Sequence, residues 1–120
     1  MTYLPDRNDI VWLDFEPTKG KEIGKYRPAL ILSSKAYSKA CGLLICCPIS
    51  TSIRHTQTEV LITGLDQPSV VASNLIQTLD YRHRKIKFIA KAEPGVFESV
   101  LTRLIPLITG DEYLANLTEA

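Results

Sequence analysis

Arg27 and Ser50 are the two residues of this chain whose types suit work on a phosphodiester. A guanidinium is a planar fork that holds two phosphate oxygens, and a hydroxyl donates to a third oxygen or to the attacking group. Arg27 precedes Pro28 at the end of a long polar stretch, and Ser50 follows Pro48 and Ile49 with Thr51 and Ser52 beside it. An arginine before proline and a serine after isoleucine are individually commonplace, so spacing alone assigns them nothing. Other chemistries have less support. His55 and His83 are far apart, and no His, Cys, Asp or Glu group has metal-ligand spacing. No phosphate-cradling glycine loop, nucleotide fingerprint, nucleophile elbow or zinc-protease motif occurs. His83 lies between Arg82 and Arg84, whose charges disfavour its protonated form.

The elements that must position these residues read as strands followed by one helix. In Ile10–Phe15 the alternation places Val11, Leu13 and Phe15 on one face and Ile10, Trp12 and Asp14 on the other. Glu16–Tyr26, with Pro17, Gly20 and Gly24, is a longer connection than a hairpin needs. Further strands are expected at Ala29–Ser33, Leu43–Ile49, Glu59–Thr63, Val70–Leu79 and Ile86–Ala90, with a short Ser/Lys/Ala connection after Ser33. From Pro94 the period changes. Phe97, Val100, Leu101, Leu104, Ile105 and Ile108 form the stripe of an amphipathic helix, which Pro106 should kink or stop. The pattern predicts a mainly β protein with a C-terminal α-helix: a small antiparallel barrel capped by that helix.

Fourteen basic residues against thirteen acidic ones leave a net charge of +1, which excludes an indiscriminate, purely electrostatic nucleic-acid binder. The charges are unevenly placed. Lys19–Arg27 holds four cations (Lys19, Lys21, Lys25, Arg27) and one acid, Glu22, while Arg82–Lys91 holds five cations (Arg82, Arg84, Lys85, Lys87, Lys91) and no acid. These windows make one basic face if they meet in space, and otherwise merely solubilise a loop and a sheet edge.

With 120 residues, 45% of them apolar, the chain is one domain able to bury a core. Cys46 and Cys47 are adjacent in a strand and should point to opposite faces, and with Cys41 the count is odd, so buried thiols in a reducing cytoplasm are expected. The first nine residues do not read as a signal peptide, and Leu43–Ile49 is too short to span a bilayer.

The run from Asp9 to Gly20, then Glu22, then Arg27-Pro28-Ala29-Leu30-Ile31-Leu32-Ser33, resembles the opening of MazF/PemK-type toxins of bacterial type II toxin–antitoxin systems. Pro48-Ile49-Ser50-Thr51 is similar to their second signature and Thr78–Arg84 to their third. Three motifs in order, over about Tyr3 to Gly110, are far more specific than any one of them. The resemblance implies an SH3-like barrel with the helix (MazF/PemK/CcdB-like) over residues 1–110, followed by an acidic tail, 111–120, beyond the usual family end. It also implies a homodimeric, cytoplasmic endoribonuclease that needs no metal or cofactor. Such an enzyme cuts single-stranded RNA at short motifs, leaving a 2′,3′-cyclic phosphate and a 5′-hydroxyl. The implied partner is an antitoxin with an acidic, partly disordered segment, and together the two would bind DNA.

Residue by residue, the resemblance makes Arg27 the catalytic arginine and puts Ser50 where threonine is usual. It makes Glu22 a loop acid and Arg84 a basic residue near the RNA groove. With the charge windows it gives an RNA-binding set of Lys19, Lys21, Glu22, Lys25, Tyr26, Thr51, Asn74, Arg82, Arg84 and Lys85. Tyr26 is a candidate to stack on an unpaired base, whereas Trp12 and Phe15 read as core or dimer interface. Some PemK-branch members carry an arginine and an aspartate where this chain has Ala72 and Asn74, and a loop histidine where it has Lys21. The arginine-plus-hydroxyl version of the mechanism is therefore expected, and Leu75 in place of a common glutamine bears on base choice. Two other readings keep the fold without cleavage: a toxin that binds a DNA topoisomerase, and a member that only binds RNA or its antitoxin.

Overall fold

The computed structural model describes the main chain of residues 3–119 and the side chains of residues 3–110. Seven strands, all paired antiparallel, build one curved sheet: β1 (Asp9–Asp14), β2 (Tyr26–Ile31), β3 (Leu43–Ser50), β4 (Glu59–Ile62), β5 (Ser69–Ala72), β6 (Gln77–Asp80) and β7 (Lys87–Lys91). The strand order is β4-β5-β3-β2-β1-β7, with β6 also paired to β3. β4, β6 and β7 each pair on one side only, and the sheet curls into a half-barrel, the small antiparallel barrel architecture expected, with a C-terminal helix. Two helices complete it, α1 (Lys35–Cys41) and α2 (Val96–Glu119). Among the described residues no helix is long and apolar enough to cross a membrane.

Both faces of the sheet are apolar, because both are covered. Ile10, Leu30, Cys47, Ile49, Val60, Ile62 and Val71 pack beneath Val100 and Leu104 of α2. Val11, Leu13, Phe15, Ala29, Ile31, Leu44 and Cys46 pack on the other face with Tyr81. The alternation read in β1 is thereby realised, with Trp12 left 37% exposed. Cys46 and Cys47 fall in opposite cores, and burial pushes the Cys47 thiol up to about 12 and the Cys46 thiol further.

Three elements differ from the sequence expectation. Lys35–Cys41, read as a connection, is a helix: the Ser34 hydroxyl accepts from the Tyr37 amide, and Gly42 ends it at φ 72° with its amide on the Ser38 carbonyl. Val70–Leu79 is two strands. Between Ser50↔Val70 and Cys46↔Gln77, β3 advances four residues while its partner advances seven, and the 3₁₀ turn Ser73–Leu75 absorbs the excess. α2 does not stop at Pro106. Thr102, whose carbonyl loses its intrahelical partner there, is exposed to water, and the break comes instead at Gly110 (φ 72°, ψ 166°). The side chains of the expected tail lie outside the described residues, while its main chain forms a second helical stretch of α2 beyond the Gly110 break, to Glu119.

Candidate nucleic-acid site

Arg27 is the second residue of β2 and Ser50 the last of β3. The strands pair as Ile31↔Cys46, Leu30↔Cys47 and Ala29↔Pro48. Carried two residues further, that register sets Arg27 opposite Ser50, on the face that holds Ala29, Ile31 and Cys46. The ladder stops at Pro48, which has no amide hydrogen to give. Beyond Pro48 the two strands part, Arg27 staying paired with Leu13 of β1 and Ser50 with Val70 of β5.

Arg27 is half-buried, and burial lowers its pKa from the ordinary arginine value. Its Nε donates to the Gly24 carbonyl at 2.6 Å, while its two Nη nitrogens have no protein partner among the described residues. The Ser50 Oγ accepts the Ser52 amide at 3.0 Å, which leaves the hydroxyl hydrogen to donate elsewhere. A charged fork and a hydroxyl donor therefore stand at the neighbouring ends of β2 and β3.

The two basic windows meet. β1 pairs with β7, and the Asp14 amide donates to the Arg84 carbonyl at 2.9 Å. Arg84 Nη1 donates to the carbonyls of Asp14 (3.1 Å) and Glu16 (2.9 Å), and the Tyr26 hydroxyl donates to the Lys85 carbonyl at 3.2 Å. Lys85 and Lys25 are exposed beside this junction and Tyr26 stacks on Trp12, with ring centroids 5.3 Å apart. At the loop tip Lys19 and Lys21 are exposed, and Glu22 accepts the Lys19 amide at 2.6 Å.

Other members of the expected set lie elsewhere. Thr51 is exposed next to Ser50. Asn74 is in the 3₁₀ turn after β5, its Oδ1 accepting from Thr58. Arg82 stands apart: it grips Asp80 with Nε and Nη2 at 3.0 and 2.8 Å, and Asp80 pairs with Leu43 at the opposite end of β3 from Ser50, about 20 Å away by strand rise. That grip holds the exposed Asp80 carboxyl well below the usual carboxylate range. Among the described residues no three His, Cys, Asp or Glu side chains cluster closely enough to hold a metal ion. Sequence reasoning missed Glu16 and Gly24, which shape the loop root beneath Arg27. Their partners are main-chain groups, which leave no signal in residue type.

Residues 6–108 match the family model described as PemK-like, MazF-like toxin of type II toxin–antitoxin system. The chain belongs to this family. It is 34% identical over 82 residues to the endoribonuclease toxin MazF of Escherichia coli K12, covering 68% of this chain and 74% of that protein. It is 32% identical over 105 residues to the endoribonuclease toxin ChpB of the same organism, covering 82% and 90%. A crystal structure of MazF from Deinococcus radiodurans superposes with a TM-score of 0.85 at 35% identity, covering 89% of this chain and 98% of that one. A MazE–MazF complex from D. radiodurans gives 0.78 at 35% identity, with coverage of 89% and 97%. In this MazF/PemK family member, the matched segment spans every strand and the site at the β2/β3 end.

Proposed function

We propose that this MazF/PemK family toxin is a metal-independent endoribonuclease that cuts single-stranded RNA at short sequence motifs, and so arrests translation and growth. The observation that supports the reading is the register of β2 and β3, which, carried beyond its last pair at Ala29↔Pro48, brings Arg27 and Ser50 to neighbouring strand ends. The endoribonuclease relatives of about one-third identity support it.

In the proposed reaction the 2′-hydroxyl attacks the adjacent phosphorus in line. A bond from O2′ to phosphorus forms, and the bond from phosphorus to O5′ breaks. The 2′-hydroxyl loses its proton and the leaving 5′ oxygen gains one, giving a 2′,3′-cyclic phosphate and a 5′-hydroxyl. Negative charge grows on the equatorial oxygens, and the unpartnered Nη groups of Arg27 stabilise it in a half-buried setting where electrostatic terms are strong. Even lowered by burial, a guanidinium starting above about 12 serves as a charge stabiliser rather than a base. Ser50 donates to the phosphate or orients the 2′-hydroxyl, whose presence selects RNA over DNA. Lys19, Lys21, Lys25 and Lys85 neutralise backbone phosphates, and Tyr26, 46% exposed, offers a stacking face.

The active form is a homodimer. Leu61, Leu107 and Ile108 are 64%, 57% and 73% exposed, apolar surface that a second copy would bury. An antitoxin with an acidic, disordered segment opposes the enzyme by pairing with the same cations, so its affinity falls as salt rises. The experiment is end-mapping of a long unstructured RNA incubated with the protein in EDTA. Cyclic-phosphate ends at recurring motifs are expected, and cleavage that vanishes in EDTA contradicts the reading.

A further inference from the structure

The loop root beneath Arg27 is fastened by side chains distant in sequence. Arg84 Nη1 donates to the Asp14 and Glu16 carbonyls at 3.1 and 2.9 Å, and the Arg84 carbonyl accepts the Asp14 amide at 2.9 Å, so the end of β1 is gripped from both sides. Beyond it the Glu16 carboxylate folds back, its Oε1 accepting the Lys25 amide at 2.8 Å, while the Phe15 amide donates to the Lys25 carbonyl at 3.0 Å. Those two bonds hold Lys25 at φ 71°, a left-handed conformation that costs free energy in a residue with a side chain. The preceding carbonyl, that of Gly24, then takes Arg27 Nε at 2.6 Å.

Gly24 has a second requirement. A β-carbon there would stand 2.1 Å from Glu16 Oε1, with Thr18 Cγ2 at 3.1 Å, so the carboxylate occupies the space that only glycine leaves open. The contacts run from Arg84 through Glu16 and Lys25 to Gly24 and end on the guanidinium. With Nε fixed, the rigid plane of the guanidinium fixes the direction of both Nη nitrogens.

We propose that Glu16, Gly24 and Arg84 are positioning residues that aim the Arg27 guanidinium at the phosphate, with Arg84 acting through the loop root rather than on RNA. The inference rests on reading Arg27 as the phosphate-contacting group. It is tested on the full chain with two readouts: steady-state cleavage of an unstructured RNA in EDTA, and solvent exchange of the Arg27 Nε–H followed by nitrogen-15 NMR. Gly24→Ala is expected to lower kcat about 10- to 100-fold with KM little changed, since a shift of about 1 Å carries such a cost. Glu16→Ala should lower kcat comparably. Adding Gly24→Ala to it should cost little more, because the clashing carboxylate is gone. Glu16→Gln keeps an acceptor oxygen and should retain most activity, while Arg84→Lys should lose kcat rather than RNA affinity.

The Nε–H should exchange slowly in the native chain and in Glu16→Gln, and quickly in Gly24→Ala and Glu16→Ala. Losses that multiply in the double variant, or losses confined to KM with an unchanged Nε–H, overturn the proposal. A native protein that cuts no RNA overturns the proposed function alone, and an Nε–H protection lost on Gly24→Ala or Glu16→Ala still upholds the positioning.

Discussion

Two regions of this molecule each withdraw a charge from water, and they satisfy it differently. At the foot of β1, Asp9 is 3% exposed and its carboxylate is surrounded: Tyr3 donates its hydroxyl, the Asp6 amide donates at 3.1 Å, and Lys91 Nζ stands at 2.5 Å. Burial and that carboxylate raise the Tyr3 pKa, which keeps the phenol a donor. At the end of β2, Arg27 is half-buried and has one main-chain acceptor for Nε. A buried charge whose oxygens are already met, Oδ2 by two donors and Oδ1 by the Lys91 ammonium, ties elements together and leaves little for a ligand. A buried charge with donors to spare costs stability in the free protein and is repaid only when an anion arrives. The difference separates a fastening from a site, although both are charged, buried and on neighbouring strands.

Substitutions at four residues probe that contrast, from the largest expected effect to the smallest. Arg27→Ala should lower the RNA cleavage rate about 100- to 1,000-fold, the usual cost of losing one preorganised charge stabiliser, with thermal stability unchanged or raised. Arg27→Lys should recover little of it, because an ammonium lacks the rigid planar fork that holds two phosphate oxygens in fixed geometry. Asp9→Ala should do the reverse: about 2–3 kcal/mol lost in urea unfolding, with the cleavage rate per folded molecule preserved. This is below the roughly 3–5 kcal/mol of a fully buried pair, because the Lys91 side chain is 58% exposed. A loss of rate with Asp9→Ala would blur the distinction.

Ser50→Ala should slow cleavage about 10-fold, which is about 1.4 kcal/mol, and Ser50→Thr should restore it since the hydroxyl is kept. Asp6→Asn is the smallest. The Asp6 carboxyl is held below its ordinary value chiefly by the Lys35 amide, so its share of stability is complete above the unfolded value near about 3.9 and is lost as pH falls through the lowered folded value. Urea midpoints followed through the acid range should therefore fall less steeply for Asp6→Asn than for the native chain, and an equal slope would contradict the assignment.

Legibility in the sequence followed the range of the forces involved. Period-two alternation located β1 and a continuous apolar run located β3, with Cys46 and Cys47 on opposite faces, because burial on both sides of a sheet is written in consecutive residues. α1 was signalled by Ser34 and Gly42, but seven residues hold too few apolar positions to show a helical period. The division of Val70–Leu79 was not legible, since a three-residue shift in pairing is decided by where β3 ends, not by the β-branched residues inside the run. At the candidate site, Arg27 and Ser50 could be chosen by chemical type, yet the pairing of β2 with β3 that brings their strand ends side by side is tertiary. The hydrogen bonds of Arg84, to carbonyls about seventy residues earlier, were invisible because every residue offers a carbonyl. The charge windows left open whether they met, which the contacts of Tyr26 and Arg84 decide, and Arg82 belongs to the far end of β3 despite lying two residues from Arg84.

The central claim is that Arg27 is kept under-satisfied for the sake of a phosphate. Single-turnover cleavage of an unstructured RNA in EDTA by Arg27→Ala, set beside the thermal midpoint of the same preparation, tests it most directly. A rate lowered at least about 100-fold with an unchanged or higher midpoint is the predicted result. A rate close to native, or a loss of rate that merely tracks a loss of folded protein, would contradict it.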